Sequence, residues 1–161
     1  YIMNTRNLLL TALEIEDMKG EEKTHFLNPN AVRINKSLGD AVGLKNMGVH
    51  IIYVEPGKDT TEYHKHFHEE ECIYVLSGKG ELVIENDSYT FEKGDFVGFP
   101  ANTASHSLAN TGRDTLVCLV IGQRLEQDVG IYPNKGKKIF RNNGVWDVVD
   151  LDQIYDPRIK T

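Results

Sequence analysis

The sequence predicts an all-β fold, a sandwich or a closed barrel. Short runs rich in β-branched and aromatic residues recur at roughly ten-residue spacing, as in such folds. Turn chemistry separates them: Glu55-Pro56-Gly57, Ser77-Gly78-Lys79-Gly80, Asn86-Asp87 and Gly94-Asp95 each sit between two runs. Some runs also alternate polar and apolar residues, as Glu81-Leu82-Val83-Ile84-Glu85 does, which is the period of a half-buried strand.

Taken in order, residues 1–45 read as an N-terminal arm. It carries Leu8-Leu9-Leu10, a charged stretch from Glu14 to Lys23, and a short helix expected near Asn7 to Leu13. Residues 46–123 form the barrel core. Its strands are expected at Val49–Val54, Cys72–Leu76, Glu81–Glu85, Ser88–Phe91, Phe96–Phe99 and Leu116–Gly122. Residues 124–161 read as an extension packed on the barrel, with Tyr132-Pro133, Trp146, Val148-Val149 and Ile154-Tyr155 as apolar anchors. The chain of 161 residues reads as one domain, long enough to bury about two-thirds of its unfolded surface.

Composition narrows the function classes. The chain has 18 basic and 24 acidic side chains and a net charge of −6. Nucleic acid and anionic membranes both select a basic face, so neither is an expected partner. Leu116 to Ile121 is the longest apolar run, far short of the ~18 residues of a membrane helix. Tyr1 to Asn4 lacks the basic region and apolar core of a secretory signal. Cys72 and Cys118 sit among large apolar residues and read as free thiols of a reducing, cytoplasmic setting.

Two strands bear on assembly. Leu116 to Ile121 is apolar on both faces of the pleat, and Cys72, Tyr74 and Leu76 oppose Ile73 and Val75. A wall with water outside alternates instead. The outer face therefore needs a cover, either the N-terminal arm or a second subunit; a homodimer is the expected arrangement.

Of six histidines, three lie in Tyr63-His64-Lys65-His66-Phe67-His68-Glu69-Glu70-Glu71. On a strand, His64 and His66 project to one face, where two imidazoles can hold a metal ion. Glu71 has the wrong parity for a continuous strand, but a bend over residues 67–70 places it inward with Ile73 and Val75. His106 would join from a separate strand. Three imidazoles and a carboxylate suit a divalent transition metal. His66 and His68 form a second His-x-His pair, so a register choice stays open at this level. His25 and His50 have no sequence partners and read as ordinary residues.

These segments resemble the two motifs of the cupin superfamily. The first reads Gly57, six residues, His64-Lys65-His66, four residues, Glu71, six residues, Gly78. The second reads Gly94, five residues, Pro100-Ala101-Asn102, three residues, His106, three residues, Asn110. Two gaps are one residue longer than the family pattern, and Asn102 replaces a glycine, a substitution the left-handed conformation tolerates. The family spacing favours His64 and His66 over His66 and His68. The resemblance spans residues 57–110. Residues 36–141 also resemble small single-domain bacterial cupins of undefined function, through Leu38-Gly39-Asp40-Ala41 and Val129-Gly130-Ile131-Tyr132-Pro133.

The resemblance implies a double-stranded β-helix, or jelly-roll, barrel. It implies one divalent metal per subunit (Fe, Mn, Ni or Zn) on His64, His66, Glu71 and His106. The expected function is a metalloenzyme of dioxygenase, isomerase or lyase type acting on a small molecule. The alternative is a small-metabolite binding protein or sensor; a storage role is the least economical. His50, Tyr53 and Tyr63 are the candidate pocket residues, with acid–base work depending on which strand faces point inward. Glu69 and Glu70 read as solvated loop carboxylates, and Lys135, Lys137 and Lys138 as a solvated patch.

Overall fold

The structure is a computed structural model that describes residues 5–159. Tyr1 to Asn4, cited above for their lack of a signal pattern, lie outside the described residues. The strands are β1 (Glu21–His25), β2 (Asn28–Ser37), β3 (Met47–Val54), β4 (Lys65–His66), β5 (Glu71–Ser77), β6 (Lys79–Ile84) and β7 (Asp87–Glu92). They continue with β8 (Phe96–Phe99), β9 (His106–Ala109), β10 (Leu116–Gln123), β11 (Gln127–Tyr132), β12 (Lys137–Asn142) and β13 (Val145–Asp150). Two short helices, α1 (Ala12–Asp17) and α2 (Leu38–Ala41), complete the regular structure with three single 3-10 turns. No helix among the described residues is long and apolar enough to cross a membrane.

A six-stranded sheet runs β1-β2-β3-β10-β5-β8. Opposite it lie a four-stranded sheet, β13-β12-β11-β4, and a three-stranded sheet, β7-β6-β9. A bridge between His64 and His106 joins these two smaller sheets, with backbone hydrogen bonds of 2.8 and 3.0 Å. The result is the all-β jelly roll expected.

The strand pattern divides the interior in two. Inward positions on β3 run His50, Ile52, Val54; on β5 they run Glu71, Ile73, Val75. On antiparallel β10, Leu116 pairs with Val54, Cys118 with Ile52 and Val75, and Val120 with His50 and Ile73. Each strand thus has an apolar end and a polar end, and the register aligns like with like. The apolar half is closed by Val54, Val75, Leu82, Phe91, Leu108 and Leu116. The polar half is the site described below.

Asn110, 1% exposed, ties the apolar end together. Its Nδ2 donates to the carbonyls of Val54 (2.7 Å) and Asp114 (2.9 Å), and its Oδ1 accepts from the Gly112 amide (2.9 Å). Asn110→Ala strands two buried carbonyls and an amide. At roughly 1–3 kcal/mol per orphaned group, the loss should be at least about 2 kcal/mol, read as a lower urea midpoint. An unchanged midpoint would show that water replaces these bonds without cost. Asn102 adopts φ +56, the left-handed conformation anticipated for it.

The arm and the extension differ from expectation. β1 and β2 form a hairpin whose β2 pairs with β3, so the expected arm supplies strands of the main sheet from its residues 21–37. β11 pairs with both β4 and β12, so the expected extension also builds the barrel through its residues 127–142. Polar inward positions hid these strands: Arg33 and Asn35 on β2, and Asp128 on β11. The helix lies C-terminal to the expected span, because Thr11 and Glu14 form a capping box that starts it at Ala12.

Lys36 on β2 holds the arm, donating to the carbonyls of Ile15 and Glu16 at 2.9 Å each. Among the described residues, the arm does not cover the sheet. Tyr74 is 41% and Phe96 65% exposed, and Leu13 on the arm is 72% exposed. Both cysteines are free, Cys118 buried and Cys72 half-buried.

Candidate metal centre

His64, His66 and His106 share a chemical device. His64 Nδ1 lies 2.8 Å from the Glu62 carbonyl, His66 Nδ1 lies 2.6 Å from Asp128 Oδ2, and His106 Nδ1 lies 3.3 Å from the Ala104 carbonyl. A carbonyl or ionised carboxylate only accepts, so each Nδ1 donates its proton. A neutral ring then carries its lone pair on Nε2. Three imidazoles are thus set in the tautomer that ligates through Nε2.

Strand geometry brings the donors together. β4 carries His66, with His64 just before it, and the two rings meet edge to face at 5.0 Å. The chain bends and Glu71 opens β5 on the inward face. Ligand atoms of His64, His66 and Glu71 all lie within 4.8 Å of one another. His106, bridged to His64 through the backbone, brings its ring to 4.7 Å from the His64 ring. It stands outside that triplet, stacked on Phe99 at 3.5 Å and 4°. Its Nε2 is buried with no hydrogen-bond partner among the described residues.

A divalent ion fits this arrangement. A buried, unpartnered imidazole nitrogen costs free energy unless something satisfies it. Three nitrogen donors of fixed tautomer and a carboxylate are a borderline set suited to first-row transition metals.

Electrostatics agree. Burial pushes the Glu71 carboxyl above its ordinary range, and the charges of His66 and Arg33 oppose that shift. Burial holds His64 well below 6.5, helped by the neighbouring His106 and His66. Burial also brings His106 down to about 4, against the pull of its Ala104 bond. For His66, burial would lower the value, but the Asp128 hydrogen bond and the surrounding carboxylates outweigh it and raise it. Burial works against Asp128's charge too, yet its bonds from His66 and from the amides of His68 and Val129 hold it below the usual carboxylate range.

A pH dependence follows. His25, His50, His64 and His106 are all held below 6.5 when folded, so between pH 6.5 and about 4 these groups bind more protons in the unfolded chain. Stability of the metal-free protein therefore falls as pH drops through that window. His66 and Glu71, both raised, act in the opposite sense, their contribution present in acid and lost as pH rises through the raised values, but they are two groups against four. The urea midpoint measured in chelator should decline from pH 6.5 to 4.5; a flat or rising midpoint would contradict the neutral assignment.

The site opens into a cavity of about 230 Å³ lined by His64, His66, Glu71, His50, Arg33 and Tyr132, among others. Of the candidate pocket residues, His50 is there. Asn35 Nδ2 lies 3.2 Å from its Nδ1, and Arg124 lies 3.5 Å from its Nε2. Tyr53 is not: its odd parity on β3 turns it outward, under the Lys36 ammonium at 5.3 Å. Tyr63 also stands away, donating to the Glu85 carbonyl at 3.2 Å. Glu69 is no solvated carboxylate. It is buried, accepts from the Leu125 amide at 2.7 Å and pairs with Arg141. Lys135, Lys137 and Lys138 meet Glu62, Asp150 and the Phe67 ring at the surface. His68 is exposed.

Sequence reasoning missed Asp128, Arg33 and Tyr132. The alternation of Asp128, Gly130 and Tyr132 with Val129 and Ile131 was the available signal for β11.

Comparison with known proteins places the chain. The family model described as "Cupin domain" matches residues 50–122. A candidate sugar phosphate isomerase from Acidithiobacillus ferrooxidans is similar over 97% of this chain and 100% of its own, at 63% identity and a TM-score of 0.94. A sugar phosphate isomerase from a cupin superfamily, of Silicibacter pomeroyi, is 26% identical, with coverage of 90% and 94% and a TM-score of 0.78. The uncharacterized protein MJ1618 of Methanocaldococcus jannaschii is 30% identical over 95 residues, 58% of this chain and 66% of that one. The chain belongs to the cupin superfamily.

Proposed function

We propose that this protein is a metal-dependent isomerase of a small phosphorylated sugar. The observation that carries the reading is the ligand-competent set His64, His66 and Glu71, with His106 behind it, lining the same small cavity as His50 and Arg33. Likeness to the candidate sugar phosphate isomerase of Acidithiobacillus ferrooxidans and the sugar phosphate isomerase of Silicibacter pomeroyi supports the substrate class. One divalent ion per subunit, Fe, Mn, Ni or Zn, would be held by the three histidines and Glu71. When bound it supplies a Lewis acid for a carbonyl or hydroxyl oxygen.

The protein's own groups supply the rest. Aldose–ketose isomerisation takes a proton from the hydroxyl-bearing carbon next to a carbonyl and returns one to the carbonyl carbon, while the hydroxyl proton passes to the former carbonyl oxygen. His50 is the base in this reading. Burial, then the Arg124 charge, holds it below 6.5, so it stays neutral and able to accept a proton. Arg33 contributes positive charge to the cavity wall.

The test is interconversion of aldose and ketose phosphates, followed by nuclear magnetic resonance, on protein loaded with each metal in turn. Exchange of one pair, lost in chelator, is the expected result. Fully loaded protein that interconverts none of them would contradict the reading and leave the non-catalytic binding protein in its place.

The same reading includes a homodimer and a cytoplasmic location. Exposed Tyr74, Leu76 and Phe96 on the outer sheet support the first, and two free thiols the second. Sedimentation at twice the 18.2 kDa subunit mass is expected; a monomer at micromolar concentration would contradict it.

A further inference from the structure

A second hollow, about 490 Å³, adjoins the metal cavity. Arg33 and Tyr132 line both and stand where the two meet. We infer that this outer groove anchors the anionic end of the substrate, a phosphate on Arg33 and Lys23, while the reacting carbons enter the inner cavity. The inference rests on the substrate class proposed above and adds where its phosphate is held.

Three observations carry it. The first is charge. The chain is acidic overall, yet the groove is lined by Lys23 and Arg33 with no carboxylate among its lining residues. Lys23 meets Glu21 at 3.2 Å, an exposed pair that a bound anion can displace at little cost. Lys135, nearby, is engaged with Glu62 at 3.7 Å.

The second is unused donor capacity. A guanidinium carries several N–H donors in a planar fork matched to phosphate. Among the described residues, Arg33 makes a single hydrogen bond, to the Thr60 carbonyl. A half-buried guanidinium with donors left over, lining two hollows, is arranged for an incoming anion rather than for the fold.

The third is shape. Phe26 stacks on His25 at 4.7 Å and meets Tyr132 edge-on at 5.7 Å, while Trp146 and Val148 line the groove as well. Aromatic faces suit the C–H surface of a carbohydrate next to its phosphate. The inner cavity, about 230 Å³, has room for the sugar carbons but is shared with the ligand set.

Trp146 is the chain's single tryptophan, so its fluorescence reports on the groove directly. The full-length protein would be titrated with glucose 6-phosphate, inorganic phosphate and glucose, by fluorescence and by calorimetry. Glucose 6-phosphate should bind and shift the emission, inorganic phosphate should compete with it, and glucose should bind at least about tenfold more weakly. Lys23→Gln should weaken glucose 6-phosphate by several-fold and Arg33→Gln by more than about tenfold. Lys23 packs in no core, so its variant tests the idea even if Arg33→Gln fails to fold. Equal affinity in wild type and Lys23→Gln, or no binding of glucose 6-phosphate at millimolar concentration, would overturn the inference. The two readings fail separately. Isomerase activity with KM unchanged in Lys23→Gln sinks the groove alone. Binding that depends on both cations, without interconversion, upholds the groove and sinks the isomerase.

Discussion

Protein carrying His64→Ala together with His106→Ala should retain no divalent metal after purification and reconstitution, while His68→Ala should keep its full equivalent. The distinction separates the two His-x-His registers. His64 is buried, and its Nδ1 is spent on the Glu62 carbonyl, so Nε2 is the atom left free to ligate. His106 Nε2 is buried without a partner among the described residues. His68 is exposed, and its part in the site is its backbone amide, which donates to Asp128 at 3.1 Å. Removing two ligands should cost far more than the ~10–100-fold in affinity that loss of a supporting partner costs. Unchanged circular dichroism would show the barrel intact, since positions 64 and 106 keep their backbone bridge whatever side chains they carry. Stoichiometric metal in the double variant would contradict the ligand assignment.

The second large effect belongs to Asp128, which holds both His66 and the bend that delivers Glu71. Its Oδ2 accepts from His66 Nδ1 at 2.6 Å, and its Oδ1 accepts from the amides of His68 and Glu69 at 3.1 and 3.3 Å. Asp128→Asn keeps the shape but removes the charge that fixes the His66 tautomer. Metal affinity should fall about 10–100-fold with stability of the metal-free protein little changed. Asp128→Ala should lower affinity further and also destabilise the metal-free chain by about 2–3 kcal/mol, because two amides over residues 68–69 lose their acceptor. Competition with a coloured chelator reads the first quantity and urea unfolding in chelator the second. Wild-type affinity in Asp128→Asn would show that the His66 ring is oriented by packing alone.

How much of this was legible depended on where polarity fell within each strand. β3, β5, β6, β7, β8 and β10 carry long β-branched or alternating runs, and each was read within a residue or two of its observed ends. β2 and β11 were not read as strands, because the barrel has a polar half. Arg33, Asn35 and Asp128 face inward there, so the hydrophobic alternation that announces a strand is broken where the site is built. The same feature concealed Asp128 as the partner of His66, since 62 residues separate them and no local spacing connects them. His64, His66 and Glu71 were legible as candidates because a two-residue strand period and one bend bring them together, with the motif spacing choosing His64 over His68. His106 was legible through the motif, and its position one step behind the triplet follows from its stacking on Phe99, which spacing cannot show. Tyr53 failed as a pocket residue on parity alone, one residue from Ile52 and therefore on the other face. Arg33 lay in what read as an arm, and only the pairing of β2 with β3 turns it into the cavity.

The central claim is that the barrel's polar half is a metal site. Elemental analysis by plasma mass spectrometry, on protein purified without an immobilised-metal column and normalised to subunit, tests it most directly. About one equivalent of a divalent transition metal is expected, as purified or after reconstitution of chelator-stripped protein. No metal as purified, and none retained when stripped protein is offered Fe, Mn, Ni and Zn in turn, would contradict it.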